Sequence, residues 1–547
     1  MPDFALGEWL PDQPAVELPG LLTVTNMIPT STGYESHPQP NVVATKSLLP
    51  RNVQGAFSGE SEGGVPYILA GTSRDVDTGT GPSLHLGWGS GDWLDVSPSV
   101  ALSSFGNSGK WEFNQYGNLL IACGDFVSPQ VLNVSSTPTG SSAFSELSPN
   151  ASRAATAAIF KNFLILGDLV GQGTNASAIG TMRNGIHWSA IGNPALFPTV
   201  GTDPAINVQS DFQQLDGVGG PVTAIVPGGE YCVIFQERAT WRLDYVGAPN
   251  VFNLRLIEPS IGCINSRTAI AVNNVVYFAS AQGFMAFDGS SVSSTGSQRV
   301  DSTWLRDSTS DTTNAVVAHS PERGCVYWSV PGSSAVPGFS KSFAYQYEVN
   351  KWFLLTFPTM TWLFEAFSTP TSGSLDTLPL SIMAMDPVGA STLAGSSLDS
   401  LGFSDGTSVM GGFEPVYEVV SNALELTGSR LVTFNDSESV SVSGELETGD
   451  FRMPDGKRAV LDWIRPVFEP GPNFVGLGVK VAARNIPSTE GSNNYQSLVE
   501  SPEVGAYVAS AGMRPGGRYM RATVSTVGNV RSVSGFNVSI RTGGASR

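Results

Sequence analysis

Short apolar runs separated by Gly, Asn and Ser turns recur along most of the chain, and the pattern is clearest between residues 221 and 296. One unit occurs there twice, with runs at 223–226, 231–235 and 240–244 and again at 268–272, 275–279 and 284–288. The runs are rich in β-branched and aromatic residues and show no helical period, so each copy predicts three strands with a fourth following. Ile225 and Ile270 are 45 residues apart, a spacing typical of one four-stranded propeller blade.

The same rhythm continues on both sides of this central pair. Further units begin near residues 53, 110, 155 and 313, and the runs at 362–367 and 380–385 predict a degenerate last unit. Phe113 and Ile159 are 46 residues apart, close to the central spacing, and an insertion at about 192–220 separates the third unit from the fourth. We count about seven units, with six or eight as alternatives. A closed ring of blades leaves such a strand-rich chain with few exposed edges.

The two ends of the chain differ from this repeat. Residues 1–50 alternate prolines with isolated apolar residues, which predicts an extended Pro-rich arm whose anchors pack on the same chain or reach a neighbouring subunit. Residues 51–411 are predicted to form the β-propeller, with a short helix near 301–306 that has Asp301 as its N-cap. Residues 412–547 contain cleanly alternating strands, which favours a jelly-roll-like β-sandwich. The anchors of the arm are Trp9, Leu21, Leu22, Ile28 and Tyr34.

Composition and charge narrow the function. A formal net charge of -18 argues against a generic nucleic-acid binder, which needs clustered Lys and Arg to release counterions. Residues 451–547 carry a net charge of +6, which is either ordinary surface charge or a contact for acidic partners. The four cysteines are far apart and lack CxxC spacing, so we expect buried free thiols. We expect no secretion signal and no membrane segment, and folding in a reducing cytoplasm.

Candidate chemistry is sparse. The four histidines are scattered, no catalytic or nucleotide-binding motif is present, and 75–79 resembles only half of a calcium loop, so an ordinary turn is favoured. Four Asp residues near predicted strand ends could in principle converge as glycosidase carboxylates, but turn chemistry is favoured. Two Trp residues could bind sugar, although blade cores need Trp as well. We therefore predict no catalytic, cofactor-binding or metal site and no enzyme. The residues in question are His37, His85, His187, His319, Asp168, Asp244, Asp288, Asp386, Trp88 and Trp93.

Several segments together resemble a known family. These are the arm from Trp9 to Tyr34, the central stretch with Cys232–Leu243, Ile261–Asn265 and Gly283–Gly289, and the end at 517–541. They are similar to the tail hub or nozzle proteins of short-tailed bacteriophages, a family that includes the packaged-DNA stabilisation proteins. The segments at about 170–220 and 370–412 do not align cleanly with that pattern.

The resemblance implies a virion structural protein built from a propeller and β-sandwich material. Such a protein is expected to be a homo-oligomer, a hexameric ring below the portal and the head-to-tail adaptor, with tail fibres or a needle as further partners. The ring would extend the DNA channel, help retain packaged DNA and pass it during ejection without sequence-specific binding. We expect it in the virion tail after synthesis and assembly in the host cytoplasm, with no cofactor and no membrane insertion. The alternatives are a propeller that binds or cleaves host-surface carbohydrate during attachment, and a monomeric scaffold for protein partners.

Overall fold

Strands make up most of the computed structural model, which confirms the all-β expectation. Within the described part of the chain, the helical segments are short: α1 (Ala176–Ile179), α2 (Asp203–Asn207), α3 (Asp301–Asp307) and three 3-10 turns at Gly173–Asn175, Gly217–Gly219 and Ser266–Thr268. None of the described helices is long and apolar enough to cross a membrane. The structure describes residues 4–38, 40–42, 46–47, 49, 53–72, 82–89, 91–98, 110–124, 127–307, 315–331, 339–366, 417–421, 429–434, 443–452, 459–471, 474–484, 497–500 and 516–542.

The N-terminal arm and the first three blades follow one another along the chain. The arm contains β1 (Phe4–Ala5), β2 (Leu21–Thr25), β3 (Met27–Pro29), β4 (Tyr34–Ser36) and β5 (Pro40–Val42). Blade 1 contains β6 (Val53–Glu60), β7 (Pro66–Thr72), β8 (Leu84–Trp88) and β9 (Trp93–Asp95). Blade 2 contains β10 (Glu112–Tyr116), β11 (Leu119–Gly124), β12 (Val127–Asn133) and β13 (Ser145–Glu146). Blade 3 contains β14 (Arg153–Phe160), β15 (Phe163–Val170), β16 (Thr181–Trp188) and β17 (Asp211–Gln214).

Blades 4 to 6 repeat the same antiparallel order. Blade 4 contains β18 (Val222–Pro227), β19 (Cys232–Gln236), β20 (Thr240–Gly247) and β21 (Val251–Glu258). Blade 5 contains β22 (Ala269–Val272), β23 (Val275–Ser280), β24 (Gly283–Phe287) and β25 (Val292–Ser294). Blade 6 contains β26 (Val316–Ser320), β27 (Cys325–Pro331), β28 (Phe339–Gln346) and β29 (Lys351–Phe364). Ile225 and Ile270 lie in β18 and β22, the first strands of blades 4 and 5, as the 45-residue spacing predicts. In blades 1 to 6 the first strand is the inner strand, the one nearest the propeller axis.

A seventh blade begins in the second half of β29. Met360–Phe364 pairs with β30 (Tyr417–Ser421), β30 pairs with β31 (Ser429–Phe434), and β31 pairs with β5 of the arm. The inner strand of this blade is therefore β29, and the outermost strand is β5 of the N-terminal arm. Pairing of the two ends of the repeat in one blade closes the ring. The strands β30 and β31 follow residue 412, where the sequence pattern places the start of the sandwich. They pair with β29 instead, because that strand continues past blade 6 and its backbone edge there needs hydrogen-bonding partners.

The remaining strands form a two-sheet β-sandwich. They are β32 (Ser443–Thr448), β33 (Phe451–Arg452), β34 (Ala459–Pro470), β35 (Gly476–Arg484), β36 (Ser497–Glu500), β37 (Gly516–Gly517), β38 (Tyr519–Val527) and β39 (Val530–Thr542). One sheet has the order β3-β4-β39-β34-β37, and the other continues from β2 through β32, β38 and β35 to β36. In β38 every second residue is buried, so the predicted alternation corresponds to a core-facing row.

The arm joins the two modules within one chain. Its strand β2 pairs with β32 of the sandwich and makes one parallel bridge, Thr25 to Leu354, with β29 of the propeller. Four of its anchors are buried, Trp9, Leu21, Ile28 and Tyr34, whereas Leu22 is half-buried. Of the two hypotheses for these anchors, packing on the same chain is the one found in the structure of the single subunit.

Two local predictions need correction. The insertion at 192–220 does not separate blades 3 and 4, because β17, the fourth strand of blade 3, lies inside it. The helix near 301–306 is present as α3, but its cap is not Asp301, whose carboxylate accepts a hydrogen bond from the Phe284 amide (3.0 Å). The residue that caps α3 is Asp12 of the arm, nearly 300 positions away in sequence, which no local pattern indicates.

Candidate functional site at the propeller axis

A cavity of about 560 Å³ lies at the centre of the propeller. Residues in or next to the inner strand of each of the seven blades line it, so blade 7 contributes to the lining as blades 1 to 6 do. Most lining residues are apolar, and many are alanines, whose small side chains leave the central space open. The alanines are Ala56, Ala157, Ala158, Ala269, Ala271 and Ala318.

Glu112 is the most unusual residue of this cavity. It is the first residue of β10, and its Oε1 accepts a hydrogen bond from the Thr156 hydroxyl of β14 (3.1 Å). Burial raises the pKa of its carboxyl to about 7. This effect is larger than the opposite effect of the hydrogen bonds from Ser266, Ala157 and Thr156 and of the Arg267 charge, all of which favour the charged form. An ionised carboxylate is therefore held here at a cost to stability, which is more typical of functional than of structural positions.

Two further charged residues line the cavity. Arg267 precedes β22 and lies close enough to Glu112 to favour its ionisation. Glu365 follows β29 and lies 3.4 Å from Nδ1 of His319, whose Nε2 is 3.3 Å from the Tyr347 hydroxyl. The cavity thus combines two carboxylates and one guanidinium with mostly apolar walls.

The other three histidines have structural roles. His37 is enclosed between the Pro38 carbonyl (2.7 Å from Nδ1) and the Tyr327 hydroxyl (3.3 Å from Nε2), and burial lowers its pKa to about 3. His187, equally buried, has its pKa lowered to about 3 and is 3.0 Å from the Ser152 hydroxyl. His85 contacts the Ser83 hydroxyl at 2.8 Å. Each histidine belongs to a different part of the fold, as their scatter in the sequence predicts.

The aspartates near strand ends make local contacts. Asp288 accepts hydrogen bonds from the amides of Ser290 and Ser291, which together with the Ser290 hydroxyl lower its pKa to about 2, so its role is the predicted turn. Asp244 pairs with Arg242 at 2.8 Å. Asp168 is buried, has a φ of +60° and pairs with Arg183. Asp386 and the segment 75–79 lie outside the described residues.

The tryptophans and cysteines belong to the cores. The Trp88 ring stacks on Tyr67 at 5.7 Å, Trp93 donates a hydrogen bond to the Ser47 carbonyl, and both pack against core clusters. All four cysteines are buried free thiols, as expected. Among the described residues, no three His, Cys, Asp or Glu side chains come together in a way that could hold a metal ion.

The sequence did not single out Glu112 or Arg267. In the run from Lys110 to Tyr116, Glu112 alternates with Trp111 and Phe113, which is what a solvent-facing strand position also shows. The repeat gives no signal either: the inner strands β18, β22 and β26 carry no Asp, Glu, Lys or Arg, but β6 carries Glu60 and β14 carries Arg153, so a charged residue in β10 is not exceptional.

Comparisons with known proteins leave the function open. No family model matches the sequence, and no curated protein matches it. Among solved structures, apo AztD from Citrobacter koseri is 12% identical with a TM-score of 0.29, covering 56% of this chain and 86% of AztD. An exo-β-1,3-galactanase from Phanerochaete chrysosporium is 11% identical with a TM-score of 0.25, covering 89% of this chain and 96% of the galactanase. At such scores neither similarity carries an argument about function, and the fold rests on the strand pairing described above.

Proposed function

We propose that this protein is a tail hub or nozzle subunit of a short-tailed bacteriophage. In this role it forms a homo-oligomeric ring of six copies, extends the DNA channel below the portal and adaptor, and carries tail fibres or a needle. The proposal starts from the resemblance of the arm, the central stretch and the C-terminal end to that family. These segments correspond to the arm strands, to blades 4 and 5, and to β38 and β39.

The observation that carries the proposal furthest is the way the arm fastens propeller and sandwich together. The arm contributes β5 to the seventh blade and β2, β3 and β4 to the sandwich sheets. A buried ion pair supports the same junction, because Arg521 on β38 contacts Asp450 (3.2 Å), whose backbone amide donates to the Ala15 carbonyl of the arm (2.7 Å). A subunit of a DNA conduit needs its modules held in one fixed orientation, and a scaffold of independent domains does not.

The charge balance agrees with passage of DNA without tight binding. Few phosphate contacts can form with a chain of net charge -18, so a duplex would slide along a ring of such subunits. We expect an electrophoretic mobility assay with the assembled ring to show no tight binding of duplex DNA at physiological salt. Tight, salt-resistant binding would contradict the conduit role.

The decisive experiment is single-particle electron microscopy of the purified protein together with its mass in solution. We expect rings with six-fold symmetry and an open axis, and a mass six times the 57.5 kDa subunit, formed by the protein alone or after addition of the head-to-tail adaptor. A protein that stays monomeric with the adaptor present would contradict the proposal. If that monomer bound or cleaved polysaccharide, the carbohydrate hypothesis would replace it.

A further inference from the structure

The axial cavity presents a ring of backbone hydrogen-bonding groups. In each of the sheets of blades 1 to 5, the strand nearest the axis is the terminal strand and pairs on one side only. The inner strands concerned, β6, β10, β14, β18 and β22, contribute residues to the cavity lining. Part of these edges is already bonded, since the Ala157 carbonyl accepts from the Asn114 side-chain amide (3.1 Å) and the Gln54 carbonyl accepts from the Trp111 backbone amide (3.0 Å). The remaining amide donors and carbonyl acceptors form a neutral and mixed hydrogen-bonding surface.

The charged groups of the cavity are of both signs. The carboxylates of Glu112 and Glu365 disfavour an anion, and Arg267 partly offsets their charge, so a neutral ligand fits this lining better than an anion. The same three groups suit hydroxyls well, since a carboxylate accepts from an O–H and a guanidinium donates to its oxygen. Ser58, Asn114 and Ser266 add neutral polar groups to the lining.

The apolar part of the lining suits the faces of a sugar ring. Phe57 and Phe113 are only partly buried and line the cavity together with Trp362. Aromatic surfaces pack against the C–H faces of pyranose rings, while the hydroxyl groups at the rim of such a ring need hydrogen-bonding partners. The cavity, about 560 Å³, is within the range of small-molecule sites and has room for one or two such rings.

We infer that the axial cavity of each subunit binds a small neutral polyhydroxylated molecule, a mono- or disaccharide, through Glu112, Arg267 and the open edges of the inner strands. This site is separate from the proposed ring function, which needs no ligand. Binding brings a hydroxyl donor to the Glu112 carboxylate and so favours its ionised form. The groups that favour its charged form are Ser266, the Ala157 amide, Thr156 and Arg267. Burial raises the pKa of the Cys123 thiol on β11, and the nearby Glu112 charge raises it further.

The test is calorimetric titration of the full-length protein with glucose, galactose, mannose, maltose and cellobiose, each up to about 50 mM, which covers weak affinities. We expect at least one sugar to bind, with protons released to the buffer near pH 7 as Glu112 ionises. Glu112→Gln should weaken binding about tenfold, the effect of one charged hydrogen bond, and abolish the proton release. Glu146→Gln, on the exposed edge strand β13, is the matched control and should bind like the parent protein.

A second variant tests the place of binding independently of charge. Ala56→Leu fills part of the cavity from β6 and should abolish binding while the thermal unfolding temperature shows that the protein is folded. The inference is overturned if none of the five sugars binds, or if Glu112→Gln and Ala56→Leu both bind as the parent protein does. The oligomeric state of the same samples, measured separately, keeps this result distinct from success or failure of the ring proposal.

Discussion

The Asp12 carboxylate caps helix α3 at Thr303, 291 positions away in sequence. Its oxygens accept hydrogen bonds from the amides of Ser302 (2.7 Å) and Thr303 (2.8 Å), and also from the Thr303 hydroxyl (2.7 Å). These amides belong to the first turn of α3, where backbone donors have no partner within the helix and negative charge is favoured. The arm therefore completes a helix that the propeller sequence leaves uncapped.

Removing this cap should loosen the arm. We expect Asp12→Ala to destabilise the protein by about 1–2 kcal/mol, the usual range for loss of a helix cap. Asp12→Asn, which keeps one acceptor oxygen, should recover part of the loss. The measurement is the thermal unfolding temperature together with protease cleavage within the first residues, and exposed Glu62→Ala is the control. Equal behaviour of Asp12→Ala and Glu62→Ala would mean that the cap contributes nothing to stability.

The second prediction concerns the buried ion pair at the junction of arm and sandwich. Asp450 is fully buried, and Arg521 contacts it at 3.2 Å while also contacting Glu447 at 3.2 Å. Arg521→Ala leaves the buried Asp450 carboxylate without its guanidinium, so we expect the free energy of unfolding to fall by about 3–5 kcal/mol. Arg531→Ala is the matched control, since Arg531 and Glu469 form an exposed pair that should contribute about 0–1 kcal/mol.

Both variants are compared by thermal unfolding and by limited proteolysis of the arm. The Asp450 backbone holds the arm through Ala15 and Glu17, so Arg521→Ala should also speed cleavage before residue 20. A similar small effect of the two Arg variants would show that the Asp450 charge is not compensated chiefly by Arg521.

The third prediction concerns a glycine required by close packing. A Cβ on Gly262 would lie 1.9 Å from the Gln236 carbonyl oxygen, in the connection between blades 4 and 5. Gly262→Ala must therefore shift the backbone, and we expect it to lower the free energy of unfolding by about 2–4 kcal/mol. Gly140→Ala is the control, because a Cβ there meets no atom within 4 Å. Unchanged unfolding temperature in Gly262→Ala would indicate that this connection moves freely.

The sequence predicts repeated local structure well and long-range closure poorly. The alternation of β-branched and aromatic runs identifies most strands of blades 1 to 6, because many of them pair with their neighbours in sequence through short hairpins. It misses β17, which follows a longer connection inside the supposed insertion. The partners of β2 and β5 lie about 400 residues away, at β32 and β31, so no local pattern reveals them. The prolines of the arm mark edge strands, and this is what β5 became.

The candidate site was harder to predict because its residues are ordinary in isolation. Glu112 and Arg267 are 155 positions apart and become neighbours only when the ring of blades closes. A periodicity argument assigns a lone Glu beside Trp111 to a solvent-facing position. The inner strands of all blades meet at one axis, and only this arrangement places Glu112 in the wall of the axial cavity.

The last prediction follows from the raised pKa of Glu112. Burial raises the pKa of this carboxyl in the fold to about 7, above its ordinary value of 4.5. The unfolded state therefore loses its proton first, and this group lowers the free energy of unfolding as the pH rises from about 4.5 to about 7, by about 3 kcal/mol in total. Below that window the neutral carboxyl has no such cost, and above it the cost is constant.

Glu112→Gln should remove this dependence, because an amide does not titrate. We expect the variant to be more stable than the parent protein at pH 8 and to differ least from it at pH 4.5, as measured by thermal unfolding across this range. Glu146→Gln, on an exposed edge, should follow the parent protein at every pH. The stability difference between the parent protein and Glu112→Gln could instead be constant from pH 4.5 to pH 8. That result would show that Glu112 ionises as easily in the fold as in the unfolded chain, so that burial at the axis does not control its charge.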